Sequence, residues 1–396
     1  MDRLELDENT CRPRRRLLRA AVSDDEMAER RTLDIAMIGA KGIPAVFGGI
    51  EKHVEEISRR LAERGHRVTV YGRSQFCRDG SWEGVQIRTV STIPTKNLDS
   101  GVNCLLASLA ARRGGFDIVH FHGIGPSLFS RIPRRRTART VATVHALDYR
   151  QSKWGSAAKR LLRLGERSAV LGTDAAVAVS RLMADRLSGV YGRTVMYIPN
   201  GTSIPGPCGS DSLARYGIEP GRYVLSVGRF IVERGFHTLI EAFRSASVPM
   251  RLVIVGDARF EEEYGARIRA MADDRIVLPG FVSGQPLEEL YAHCAFYVLP
   301  SLVEGLPISL IEAMGHSRPV IVSDIPENLE VAGGIGVTFR AGDAGDLSRA
   351  LSRMASAPAA ELERMGREGR ERVEREYLWD AVARKLERLY LDIAAH

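Results

Sequence analysis

Residues 296–324 read FYVLPSLVEGLPISLIEAMGHSRPVIVSD, and the order of patterns within them decides the fold. A short apolar run rich in aromatic and β-branched residues (296–299) is followed by a Gly/Pro turn, an apolar stretch of helical length and a second β-branched run (320–323). Strand, turn, helix, strand in so few residues is a parallel crossover unit. Two glutamates mark it. Glu304 lies in the turn, and Glu312 lies among Ile308, Leu310, Ile311, Ala313 and Met314, where a carboxylate is costly unless donors satisfy it. Pro307 is placed to open the helix.

The same alternation extends in both directions. Toward the N-terminus of the second half come YVLSVGR, RLVIVG and RIVLPGFV. The first half repeats the scheme with LDIAMIGA, VTVYGR, DIVHFHG, TVATVHAL, AAVAVS and VMYIPN. Runs this apolar belong to sheets covered on both faces. The chain has 396 residues, more than one core usually supports, and a polar connector follows Asn200-Gly201. The pattern predicts two doubly wound α/β domains, residues 32–204 and 205–378, with a last helix at 379–396 long enough to cross back to the first. Residues 1–31 hold the runs RPRRRLLR and DDEMAE without a strand pattern and read as a tail.

Composition narrows the function. The five cysteines are scattered and form no C-x-x-C pair, so neither a disulfide set nor a cysteine metal site is expected. No 18-residue apolar run and no signal-peptide core are present, which predicts a cytoplasmic protein. Net charge is 0 over residues 1–31, +13 over 32–200 and −6 over 201–396, together the formal +7 of the chain. A nucleic-acid partner is not expected. The basic half lacks interleaved aromatics, and the acidic half would repel a phosphate backbone.

In such sheets ligands bind beyond the carboxyl ends of strands, so the strand-to-helix turns hold the candidate residues. After the first strand, GAKGIPAVFGGIEKHVEE (39–56) puts Gly48 and Gly49 at a helix start, where free N–H groups favour an anion, although paired glycines can equally serve a tight turn. Neither a dinucleotide fingerprint nor a phosphate-binding P-loop is present. In SVGRFIVERGFHTLIEAF (226–243), Arg229 and Arg234 precede a helix N-terminus, an unfavourable place for two cations unless an anion lies between them. The alternative is a pair of solvated surface arginines. His120, His122 and His145 come at or after strand ends, and His145, beside Asp148 and a basic helix, is the strongest catalytic candidate of the three.

Together GGIEKHV, VSRLMADRL, YIPNG, GRFIVERG and EGLPISLIEAMGHSRPVIVSD resemble the retaining glycosyltransferases of family 4, whose GT-B architecture faces two Rossmann-like domains across a cleft. The resemblance implies a nucleotide-diphosphate sugar as co-substrate, no cofactor and no metal, in keeping with the absence of a D-x-D triplet. It implies that Arg229 and Arg234 neutralise the diphosphate, that Glu312 holds the ribose hydroxyls, and that Gly280, Phe281 and Val282 lie by the base. The turn Glu304, Gly305, Leu306 and Pro307 would contact the sugar, Gly48 and Gly49 would approach phosphates and acceptor, and His145 would stand by the transferred sugar. Glu304 and His145 are thus the catalytic candidates. Arg234 occupies a position where the family usually has lysine, so a planar fork replaces a point charge. GAKGIPAVFGG and DYRQSKWGSAAKRLLRLGE further resemble a subgroup that transfers rhamnosyl and related units in bacterial surface-polysaccharide assembly. That implies a saccharide or lipid-linked acceptor, and the basic clusters at Arg131, Arg134, Arg135, Arg136 and Arg139 and at Lys153, Lys159, Arg160, Arg163 and Arg167 suit an anionic membrane surface. The alternative is a nucleotide-sugar-binding module of the same fold without transfer activity.

Overall fold

The computed structural model describes residues 31–45, 48–90, 99–134, 138–151, 154–258 and 261–395. The expected tail therefore lies almost wholly outside the described residues, as do Arg135, Arg136 and Lys153. Residues 33–396 form one unit.

Its first half contains β1 (Asp34–Ile38), α1 (Gly49–Glu63), β2 (Arg67–Arg73), β3 (Gly80–Trp82), β4 (Val85–Val90), α2 (Asp99–Arg113), β5 (Ile118–His122), β6 (Arg139–Val144), α3 (Ser156–Leu171), β7 (Ala175–Ala178), α4 (Arg181–Tyr191) and β8 (Met196–Tyr197). The sheet order is β3-β4-β2-β1-β5-β6-β7-β8. All neighbours are parallel except β3 and β4, whose two-residue turn Glu83-Gly84 has φ of 44° and 80°. Positive φ at both turn residues matches the twist of a tight hairpin.

The second half contains β9 (Tyr223–Val227), α5 (Phe236–Ser245), β10 (Arg251–Val255), α6 (Glu262–Met271), β11 (Ile276–Gly280), α7 (Gln285–His293), β12 (Phe296–Leu299), α8 (Ile308–Gly315), β13 (Val320–Ser323), α9 (Pro326–Ala332), β14 (Val337–Phe339), α10 (Ala344–Ala355), α11 (Ala359–Glu376) and α12 (Trp379–Ala394). Its sheet is wholly parallel, in the order β11-β10-β9-β12-β13-β14. Each sheet has an apolar cluster on either face, which is why β5, β12 and β13 are buried throughout instead of alternating.

The chain passes between the halves twice, side by side. Thr202 donates its N–H to the Tyr377 carbonyl (2.8 Å), and Trp379 donates to Thr202 (3.1 Å). A Cβ on Gly201 would come within 2.8 Å of the Tyr377 oxygen, so only glycine lets the two crossings lie this close. Beyond the crossing, Trp379, Val382, Leu386 and Tyr390 on one face of α12 join the core beneath β1 and β2 of the first sheet. Arg60 to Asp380 (2.7 Å) and Arg64 to Glu387 (2.6 Å) pin the helix from α1.

Candidate active site

In both sheets chain order reverses once, and the crevice beyond the strand ends at that point is where open α/β sheets bind ligands. In the second sheet the reversal falls between β9 and β12, and in the first between β1 and β5. Gly228 after β9 and Gly256 after β10 let these two strand ends lie close together. A Cβ on Gly256 would collide with the Gly228 carbonyl oxygen, and Gly256 donates its N–H to Gly280 (2.9 Å).

Arg229, exposed, and Arg234 follow β9, while Ser301 and Glu304 follow β12. Gly235, with φ of 68°, lets the turn after Arg234 press on the Pro300 carbonyl, where a Cβ would collide. Leu302 donates to the Glu233 carbonyl (2.8 Å) and ties the two turns together. This closeness brings the Arg234 guanidinium onto the Glu304 carboxylate as an ion pair, with Ser301 donating to Glu304 Oε1 at 2.8 Å. Burial, then repulsion by Arg229, pull the Arg234 guanidinium down to about 10, and its Nε is buried without a partner. The sequence reading placed an anion between two arginines and gave Glu304 only to a sugar. The structure instead pairs Arg234 with Glu304, because β9 and β12 are neighbours in the sheet and their turns share one crevice.

Glu312 is also differently placed from expectation. It is only partly buried, and it accepts a hydrogen bond from the Tyr291 hydroxyl (3.0 Å). Burial pushes its carboxyl up to about 7 against the opposing pull of Lys52, which projects from α1 in the first half. Pro307 stands one residue before α8, at its N-cap, with extended backbone. Gly280, Phe281 and Val282 lie at the β11 edge, two strands from β9, with Phe281 exposed.

The first half meets this crevice at three points. A Cβ on Gly305 would collide with the His145 carbonyl oxygen, so the turn and the end of β6 are in direct backbone contact. Asn200 donates its amide to the Leu306 carbonyl (2.8 Å). A Cβ on Gly49, at the start of α1, would lie 3.4 Å from Ile308 Cδ1 at the start of α8. Gly48, with φ of 89°, precedes α1, and Glu51 turns back to take the Lys41 N–H at 3.2 Å, fixing the loop after β1. Thus Gly49, His145, Gly305, Leu306 and Glu312 meet at the junction of the halves, Arg234 and Glu304 pair beside them, and Gly48, Arg229 and Pro307 adjoin these residues along the chain, whereas residues 280–282 lie at the edge of the second sheet.

Comparison with known proteins agrees with this fold. Residues 47–204 match Glycosyltransferase Family 4, and residues 221–357 match Glycosyl transferases group 1. The chain is a glycosyltransferase of the GT-B type. A GDP-mannose-dependent alpha-(1-6)-phosphatidylinositol monomannoside mannosyltransferase of Mycobacterium tuberculosis is 28% identical, over 87% of this chain and 94% of its own length. Glycogen synthase of the same organism is 25% identical over 90% and 94%. Among solved structures, sucrose-phosphate synthase from Thermosynechococcus elongatus superposes with a TM-score of 0.80 at 22% identity, covering 92% of this chain and all of that one. Anabaena HepE in complex with UDP and glucose gives 0.74 at 16% identity, covering 91% and 99%.

The GT-B glycosyltransferase also carries site residues that sequence reading passed over. His53 on α1 bonds Asn200 Oδ1 through Nδ1 (3.0 Å), and its ring meets that of His145 edge-on at 4.7 Å between centroids. His122 Nδ1 lies 3.2 Å from His145 Nε2. Burial holds His53 down to about 4; burial and the neighbouring imidazoles hold His120, His122 and His145 well below the usual histidine range. Ser301, Lys52 and Tyr291 were likewise missed. Ser301 meets Glu304 only three residues on, whereas Lys52 and Tyr291 are brought to Glu312 from distant positions by the fold.

Proposed function

We propose that this glycosyltransferase moves a glycosyl unit, with retention at the anomeric carbon, from a nucleoside-diphosphate sugar to a hydroxyl of a saccharide or lipid-linked acceptor. The observation that carries the reading is Arg234: a partly buried cation at the sheet reversal, destabilised by Arg229, with a buried Nε and no partner for it. An anion between Arg229 and Arg234 relieves that repulsion, and a diphosphate is the anion a transferase must release. The names of the relatives support a nucleotide-sugar donor.

In the reaction the acceptor oxygen bonds the anomeric carbon as the bond from that carbon to the diphosphate oxygen breaks, and the acceptor proton passes to the leaving phosphate. The two arginines stabilise the charge that builds on the diphosphate, which is how transfer proceeds without a metal there. Glu304, held by Ser301 and Arg234, orients the sugar and offsets positive charge at the ring, and His145 lies across the junction beside it. Glu312 offers its carboxylate to the ribose hydroxyls, with Tyr291 fixing the other side. A thermal-shift screen of UDP-, GDP-, dTDP- and ADP-sugars tests this. One of them should stabilise the wild type and fail to stabilise Glu312→Ala; no stabilisation by any would sink it. Glu304→Gln should slow transfer at unchanged donor affinity, and donor binding without turnover in the presence of candidate acceptors would favour the non-catalytic alternative.

The acceptor's membrane setting has a specific support. Among the described residues no helix is long and apolar enough to cross a bilayer. Helix α3 nevertheless exposes Leu161 (53%) and Leu164 (57%), with Arg160, Arg163 and Arg167 exposed on the same helix. An apolar stripe flanked by arginines suits the interface of an anionic bilayer. Flotation with phosphatidylglycerol vesicles should be lost in a Leu161→Ser, Leu164→Ser variant, and absence of binding at low salt would exclude this setting. The resemblance to rhamnosyl-type transferases makes deoxyhexosyl donors the first to try.

A further inference from the structure

We propose that His53, His122 and His145 form a binding site for a divalent transition-metal cation of the zinc class. One ring nitrogen from each lies within 4.8 Å of the other two, and all three residues are buried. The hydrogen bonds around them set which nitrogens are available. Asn200 donates its amide to the Leu306 carbonyl, so its oxygen faces His53 and takes the proton of Nδ1. His53 Nε2 is therefore left with a lone pair, and it is buried without a partner. His122 Nε2 lies 3.4 Å from the Met37 thioether, which can only accept, so the proton sits on that nitrogen and Nδ1 keeps its lone pair.

Two of the three imidazoles thus carry an available lone pair without any change of protonation. The third comes from His145, whose Nε2 lies 3.2 Å from His122 Nδ1. With no cation, His145 donates its Nε2 proton to His122. With one, the proton moves to Nδ1 of the same ring and no net charge is lost. Ligand nitrogens at about 2.0 Å from a tetrahedral zinc are about 3.3 Å apart, the spacing this pair already has. His53, whose ligand nitrogen lies within 4.8 Å of the other two, closes up to complete the set, and a water or another oxygen ligand takes the fourth position.

Asn200 and Met37 then act as the outer acceptors that fix imidazole tautomers in metal sites. The neighbouring His120 shows the contrast. Its ring centroid is 4.1 Å from that of His122, but its nitrogens already meet the Tyr390 hydroxyl (2.5 Å) and the Thr143 hydroxyl (2.8 Å), so it has none to offer. All three ligands come from the first half, whereas Arg229 and Arg234 lie in the second. The proposal rests on these three side chains and does not depend on the donor reading.

Calorimetric titration of the full, untagged chain with zinc chloride in a non-chelating buffer tests it, with cobalt(II) absorption as a report of geometry. The expected result is one equivalent bound and an intense tetrahedral cobalt spectrum. His53→Gln should abolish both while leaving the melting temperature of the metal-free chain nearly unchanged. Met37→Leu keeps the core filled and should weaken zinc about tenfold or more through the lost acceptor. No binding by the folded wild type, or binding that survives in a folded His53→Gln chain, would overturn the site and leave an internal water as the partner of His53 Nε2. Should His53→Gln fail to fold, Met37→Leu with unaltered zinc affinity overturns it alone.

Discussion

The two sheet reversals are built from opposite chemistry. Between β9 and β12 the crevice is ionic: Arg229, Arg234 and Glu304 are charges that need one another or a ligand. Between β1 and β5 it is neutral: His120, His122 and, from neighbouring elements, His53 and His145 are imidazoles kept uncharged by burial and linked by hydrogen bonds. One fold plan, used twice in a chain, has yielded an ionic crevice in one half and a neutral one in the other. What joins them is the backbone contact between Gly305 and His145, made where no side chain fits.

That contact is the place to break the comparison. Gly305→Ala forces the halves apart and should lower transfer by about 100-fold, the scale set by a misplacement of roughly 1 Å, while each half keeps its fold by circular dichroism. An alanine variant with full activity would show that the junction is not closed during turnover. Next in size is Arg234→Lys, which keeps the charge and removes the fork. Nucleoside diphosphate affinity by calorimetry should fall about tenfold, and an unchanged value would mean that the second crevice uses charge alone.

A smaller effect is expected on the neutral side. Tyr390→Phe removes the hydroxyl that α12 gives to His120 and should cost about 1 kcal/mol in denaturant unfolding, with donor affinity unaltered. The last concerns pH. The Glu312 carboxyl is pushed up to about 7 in the fold from an ordinary value of 4.5, so the folded chain holds the proton more tightly than the unfolded one. Stability from this group is complete below pH 4.5 and is lost as pH rises toward 7 and beyond. Glu312→Gln should therefore gain on the wild type in melting temperature between pH 5 and pH 8. A gap that narrows with rising pH would mean that Lys52 governs the group instead of burial.

Much of this was legible in the residues. Buried β-branched runs alternating with helices can form only a parallel sheet with helices on both faces, and two such series on either side of Asn200-Gly201 give two sheets. EGLPISLIEAM and GRFIVERG name their candidate residues because strand ends and helix starts are local features. The β3–β4 hairpin escaped notice because strands of three and six residues around Glu83-Gly84 carry little pattern. The partners escaped for a deeper reason. His53 and Asn200 are 147 positions apart, and the carboxylate of Glu304 reaches Arg234 only because β12 was inserted beside β9.

Periodicity, turn chemistry and the apolar runs, all properties of short segments, thus determined the layers of this chain, its two halves and the positions of its loops. Tertiary structure alone decided which charge meets which, that the Glu304 turn rests on His145, and that histidines from α1, β5 and the end of β6 converge. Those outcomes depend on sheet order and on the double crossing at Thr202 and Leu378, where distant backbone segments are held together.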